Sequence, residues 1–144
     1  MTMKQAIAAV LALGGAFALT ACGGNGVSGN DVGTNGTVAG TVLTDVNDHT
    51  LYVFTSGDCD AACQKVWPPA IVDDAVTQDE EVVASVAITD GQLTVNGQPV
   101  YTYVKDQRVG DANGQGVDGA WYVLDRAGNL VRDLPPVNPD GYGY

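Results

Sequence analysis

Basic residues are scarce in this 144-residue chain: six lysines and arginines stand against seventeen acids, for a formal charge of −11. That balance excludes a phosphate-neutralising patch for nucleic acid and a polybasic hold on anionic lipid. Histidine is scarcer still. The single one, His49, sits in an Asn47-Asp48 turn, and no serine stands in a nucleophile-elbow context, so a Ser-His-Asp system has nothing to be built from. Three cysteines and one imidazole are too few for a zinc or copper centre. No phosphate-cradling glycine loop of the P-loop or dinucleotide type is present. Carboxylates are plentiful, yet none has an apolar setting that would split a pair into acid and base. The densest run, Asp73, Asp74, Asp79, Glu80 and Glu81, reads as a solvated, mutually repelling surface. These absences together point away from an enzyme and away from a cofactor.

Long apolar runs are also few. One, AIAAVLALGGAFA over residues 6–18, follows Lys4 and is too short for the ~20 residues that span a bilayer. It closes on Leu19-Thr20-Ala21-Cys22, which resembles the lipobox of bacterial lipoproteins. The resemblance implies a signal peptide over residues 1–21, cleavage before Cys22, and acylation of its sulfur. Two or three acyl chains, at about 0.8 kcal/mol per buried CH₂, make a stable membrane anchor. The expected location is the bacterial cell envelope, with the membrane as partner through Cys22. Loss of Lys4 takes the formal charge of chain 22–144 from −11 to −12.

Residues 23–37, GGNGVSGNDVGTNGT, are rich in glycine and asparagine and offer almost nothing to a core, so 22–37 is expected to be the lipidated cysteine and a flexible tether. Residues 135–144, PPVNPDGYGY, read as a frayed tail. Between them, residues 38–134 form one expected domain. Period-two patterns dominate it: TVAGTVL, TLYVF, VVASVAI, QLTV, PVYTYV and AWYVL. Asp90-Gly91 and Asn96-Gly97 are tight-hairpin dipeptides, because both residue types accept positive φ. Arg126-Ala127-Gly128-Asn129 turns a further strand back. The fold class is therefore a small, mostly antiparallel all-β domain. One short helix is expected over residues 59–66, stopped by Pro68-Pro69.

The strands echo one another. Aligning DHTLYVFTSGD (48–58) with GQPVYTYVKD (97–106) sets Tyr52 on Tyr101 and Phe54 on Tyr103. A tryptophan follows each copy, Trp67 and Trp121, so the domain reads as two pseudo-repeats. Tyr101, Tyr103 and Asp106 match a Y-x-[FWY]-x-x-D motif. In this, and in LYVF followed by C-x-x-x-C and WPP, and in GDANGQGVDGAWYVL, the chain resembles a family of bacterial secreted lipoprotein repeats over most of residues 40–125. The first copy departs from the motif: Gly57 occupies the acid position and Asp58 comes one residue late. The resemblance implies no established biochemical activity.

With Cys22 acylated, Cys59 and Cys63 remain. In an oxidising envelope an even remainder reads as a disulfide, and i, i+4 spacing on a helical turn brings the two Cα atoms to about 6 Å. A redox-active pair is the competing reading, though Asp58 and Asp60 beside Cys59 oppose a depressed thiol pKa. The stretch Asp111-Ala-Asn113-Gly-Gln115-Gly116 begins like a calcium loop, but Tyr122 stands where a bidentate Glu is required; a braced glycine-rich connection is the simpler reading, and no metal is expected. Tyr52, Phe54, Trp67, Tyr101, Tyr103, Asp106 and Trp121 are then either a packed fold element or a shallow aromatic surface for glycan, haem-like or other planar ligands. Asp106 is a natural acceptor for a tyrosine hydroxyl or a following amide. The expected function is a non-enzymatic binding or structural module of the envelope; the alternative is an accessory redox lipoprotein using Cys59 and Cys63.

Overall fold

The computed structural model describes residues 31–73 and 75–133. Cys22, the signal segment and the tail 135–144 lie outside the described residues. Among the described residues seven short strands appear in order: β1 Val32–Thr37, β2 Gly40–Asp45, β3 Tyr52–Phe54, β4 Val86–Thr89, β5 Gln92–Val95, β6 Gln98–Pro99 and β7 Trp121–Val123. All their pairings are antiparallel: β1 with β2, β3 with β7, and β4-β5-β6 as a three-stranded meander. The mostly-β expectation holds.

The hairpin dipeptides behave as their chemistry requires. Asp90 and Gly91 have φ of 52° and 83°, Asn96 and Gly97 of 50° and 82°, the paired left-handed values of two-residue turns whose twist matches the flanking strands. Asn96 does more than turn. Its side chain accepts from the Ser85 amide and donates to the Ala127 carbonyl, tying the hairpin to the turn after β7.

Two expectations are corrected. The tether does not extend to residue 37: Val32–Thr37 is strand β1, paired over its full length with β2, and Val32 is completely buried. Its two glycines and single asparagine are tolerated because β1 is an outer strand whose pairing is set by β2 and by Gln78, which bridges Val32. The helix expected over 59–66 is only a 3-10 turn, Cys63–Lys65. Asp60 Oδ1 accepts the Cys63 amide, and Pro68-Pro69, beginning three residues after Lys65, end the segment before an α-helix can propagate.

PVYTYV likewise is not a continuous strand. Tyr101 sits between two neighbours, bridging Tyr52 on one side and Pro69 on the other. Proline supplies no N–H there, so the ladder cannot lengthen. The result is a central row of four segments in the order β7, β3, the Tyr101 segment and the Pro69 segment.

Alternation along this row separates two cores. Leu51, Val53, Val100 and Leu124 point to an aliphatic cluster that the two hairpins complete with Val32, Leu43, Leu93 and Val95. Tyr52, Tyr101, Trp121 and Val123 point the other way, into a second cluster with Trp67 and Tyr103. The aromatic side is covered by loops 55–66 and 104–120, and it is where the candidate site lies.

Candidate functional site

The sequence echo is a structural dyad. Tyr52 and Tyr101, aligned above, exchange main-chain hydrogen bonds with each other: Tyr52 N–H to Tyr101 O at 2.8 Å and Tyr101 N–H to Tyr52 O at 2.9 Å. Residues that pair with their own equivalents across an antiparallel bridge lie on a local two-fold axis. The rest of the row obeys it. Thr55 N–H bonds to Ala120 O as Val104 N–H bonds to Val66 O, and Leu43 N–H bonds to Leu124 O as Leu93 N–H bonds to Ala70 O. Each repeat therefore gives its tryptophan-bearing segment to the other.

On the axis lie the two tryptophans. Trp67 and Trp121 stack with centroids 3.8 Å apart and planes 3° from parallel. Phe54 stacks outside Trp121 at 4.5 Å, and Tyr103 outside Trp67 at 4.0 Å. Four rings thus run in the order Phe54, Trp121, Trp67, Tyr103. Tyr52 meets Trp67 edge-on at 5.3 Å and Tyr101 meets Trp121 edge-on at 5.5 Å. Offset-stacked and T-shaped contacts of this kind contribute about 0.5–1.5 kcal/mol each beyond burial. All the sequence-expected aromatics are brought together, and most are buried; only Phe54 is partly exposed.

The motif acid serves the other repeat. Asp106, 6% exposed, accepts the Tyr52 hydroxyl on Oδ2 at 2.5 Å and the Asn113 amide on Oδ1 at 2.8 Å. Tyr52 Oη in turn accepts the Gly114 amide at 3.1 Å. Burial away from water raises the Asp106 pKa above the ordinary carboxylate value, against the two hydrogen bonds that lower it. Burial, reinforced by the nearby Asp106 charge, also raises the Tyr52 pKa, so the phenol keeps its proton. Gly114 has no room for a side chain: a Cβ there would stand 2.6 Å from Trp67 Cη2 and 2.9 Å from Tyr52 Cε1.

Cys59 and Cys63 form the disulfide, with Cα atoms 5.2 Å apart. Cys59 is buried, while Cys63 is partly exposed. The calcium-loop resemblance dissolves in the structure. Asp111 Oδ2 accepts the amides of Gln107 and Arg108, and Gln115 is fully buried, bonded to the Val131 carbonyl and the Val123 amide. Both side chains brace the connection. His49 pairs loosely with Asp45 at 3.4 Å on an exposed turn. Asp73, Asp79, Glu80 and Glu81 converge on no shared point; among the described residues no group of His, Cys, Asp or Glu is arranged to hold a metal ion.

One face of the ring stack opens into a groove of about 420 Å³, lined by Phe54, Cys63, Val66, Trp67, Tyr103, Val117, Asp118 and Trp121. Its walls are the 3-10 turns Cys63–Lys65 and Val117–Gly119. Cys63 and Val117 stand four residues before Trp67 and Trp121, so the walls too are equivalent under the dyad. Sequence reasoning passes over Val66, Val117 and Asp118. The available signal is the fixed distance back from each tryptophan, which an alignment anchored on the tyrosines obscures.

Residues 84–125 match the model of a family described as a secreted repeat of unknown function. The matched stretch spans the β4-β5 hairpin, the Tyr101 segment and β7, which is the second structural repeat. No curated protein and no solved structure matches the chain.

Proposed function

We propose that this chain, whose residues 84–125 form one copy of a secreted repeat, is a non-catalytic binding module of the bacterial envelope. In this reading acyl chains on Cys22 hold it at a membrane, and two repeats build a stiff platform that presents a shallow aromatic groove. The observation that carries the reading is the groove on the ring stack. It is a shallow depression open to solvent, lined mainly by apolar and aromatic side chains as small-molecule sites are. Apart from the Cys63 half of the cystine and the Asp118 carboxylate, its lining is aliphatic and aromatic; the buried Tyr52–Asp106 pair is committed to holding the repeats together, and His49 is engaged with Asp45. The ligand that fits is flat and largely apolar, lying against the edges of Trp67 and Trp121.

The test is an NMR titration of the full chain with single-ring and fused-ring aromatic fragments. Shifts confined to Val66, Trp67, Val117 and Trp121 are expected, and they should vanish in Val66→Trp, which fills the groove from a half-exposed position. Absence of shifts from every fragment would leave the domain a scaffold only. Detergent phase partition of Cys22→Ser tests the anchor: the parent is expected in the detergent phase and the variant in the aqueous one. A redox role for the cystine draws support from Cys63 lining the same groove; rapid exchange with a glutathione buffer would favour that reading over a structural clip.

A further inference from the structure

The two walls of the groove are equivalent in position, four residues before each tryptophan, but differ in backbone and in charge. Gln64, the counterpart of Asp118, is neutral, and its exposed side chain donates its amide to the Cys59 carbonyl. Asp118 is exposed at the rim. Its φ of 55° lies in the left-handed region, one that aspartate tolerates better than most residues. Gly116 and Gly119 on either side also have positive φ, and together these set the tight turn that carries the carboxylate beside Val117 and Trp121. Asp118 is the charged side chain among the residues lining the groove, which include no lysine, arginine or histidine.

From this asymmetry we infer that the groove selects flat organic cations, an aromatic or alkyl body carrying an amine or quaternary nitrogen, with Asp118 as the counter-charge. The inference rests on the groove reading above and narrows it. The tryptophans turn edges and not faces to the groove, since their faces are occupied in the stack, so the preference is carried by Asp118 and not by a cation–π contact. The surrounding field acts in the same direction: with seventeen acids against six bases, an anionic ligand meets repulsion before it arrives. Haem-like molecules, which carry paired carboxylates, are disfavoured by charge. At the exposed rim the attraction is screened by water and salt, so its effect is a selectivity of about tenfold at low ionic strength, falling as salt rises.

The experiment uses three probes of one skeleton: N-methylquinolinium, quinoline and quinoline carboxylate, titrated calorimetrically into the full chain at low and high salt. The expected order is cation about tenfold tighter than neutral, with the anion weakest. Asp118→Asn, which suits the left-handed backbone, should bring the cation down to the neutral probe's affinity without altering the latter. Equal binding of all three, unchanged in Asp118→Asn, would overturn the charge selectivity while leaving the groove in place. No binding of any probe, with ring signals unmoved, would overturn both.

Discussion

Replacing Tyr52 by phenylalanine removes one oxygen from the centre of the dyad and leaves the ring against Trp67. Two hydrogen bonds go with it: the hydroxyl's own donation to Asp106 at 2.5 Å and the acceptance from the Gly114 amide at 3.1 Å. A bond to a charged acceptor contributes about 1.5–3 kcal/mol, and a buried amide left without its acceptor costs about 1 kcal/mol or more. The hydroxyl's own desolvation is recovered, so the expected loss near neutral pH is about 2–4 kcal/mol. A domain with 5–15 kcal/mol of stability would survive it folded, and urea unfolding followed by tryptophan fluorescence would measure it.

The pH dependence tests the cause. In the folded protein the Asp106 pKa lies above its ordinary value of 3.8, because burial disfavours the carboxylate. A group with a raised folded pKa binds more protons in the native state, so its contribution is fully present below the unfolded pKa. That contribution is lost as pH rises through the folded pKa. Tyr52 now opposes this by stabilising the carboxylate. Without the hydroxyl, the Asp106 pKa should rise further, and the penalty of Tyr52→Phe should be smallest in acid and grow as pH climbs from about 4 toward neutrality. A penalty that stays constant over that interval, or one under about 0.5 kcal/mol at neutral pH, would refute the picture of a buried carboxylate held by this phenol.

Gly114→Ala should cost about 1–3 kcal/mol through overpacking, since the added methyl meets rings already confined within the stack; Gly36→Ala, where a Cβ meets nothing within 4 Å, should change stability by less than about 0.5 kcal/mol. Urea midpoints for the two variants, with near-ultraviolet circular dichroism reporting the tryptophan pair, check both. Replacing Cys59 and Cys63 together by serine should lower the unfolding free energy by about 2 kcal/mol on the chain-entropy argument for so short a loop, and an unchanged urea midpoint would show that the clip does not stabilise the native state.

What the sequence discloses and what it hides follow from the range of the interactions involved. The Asp90-Gly91 and Asn96-Gly97 hairpins are legible because two-residue turns are set by local φ preferences. The Cys59–Cys63 bridge is legible because both thiols lie on one turn. β1 is not, since VGTNGT carries almost no apolar signal and becomes a strand only by pairing with β2 and bridging Gln78. The helix over 59–66 is overread because its propensity competes with a neighbouring cystine and two prolines. The groove is hidden for a different reason: the loop between tyrosine and tryptophan is five residues longer in the second copy, fifteen against twenty. Equivalent wall residues therefore fall out of register in the sequence and return to it only in three dimensions.

The exchange of tryptophan segments also accounts for the uneven motifs. The acid position that the second copy fills with Asp106 serves Tyr52, which belongs to the first copy; Gly57, the first copy's counterpart, has no carboxylate to offer Tyr101. A repeat read alone would make Asp106 a partner of its own tyrosines, and its loss from the first copy a defect. Across the dyad it becomes a division of labour. One buried carboxylate locks the two halves from one side, and the shorter loop with its cystine closes the other. A second carboxylate would carry a further burial cost with no additional strand to hold. The same asymmetry distinguishes the groove's walls, clipped by Cys63 on one side and charged at Asp118 on the other. A pseudo-symmetric scaffold thereby acquires a site with two unlike edges, which a strictly repeated sequence could not build.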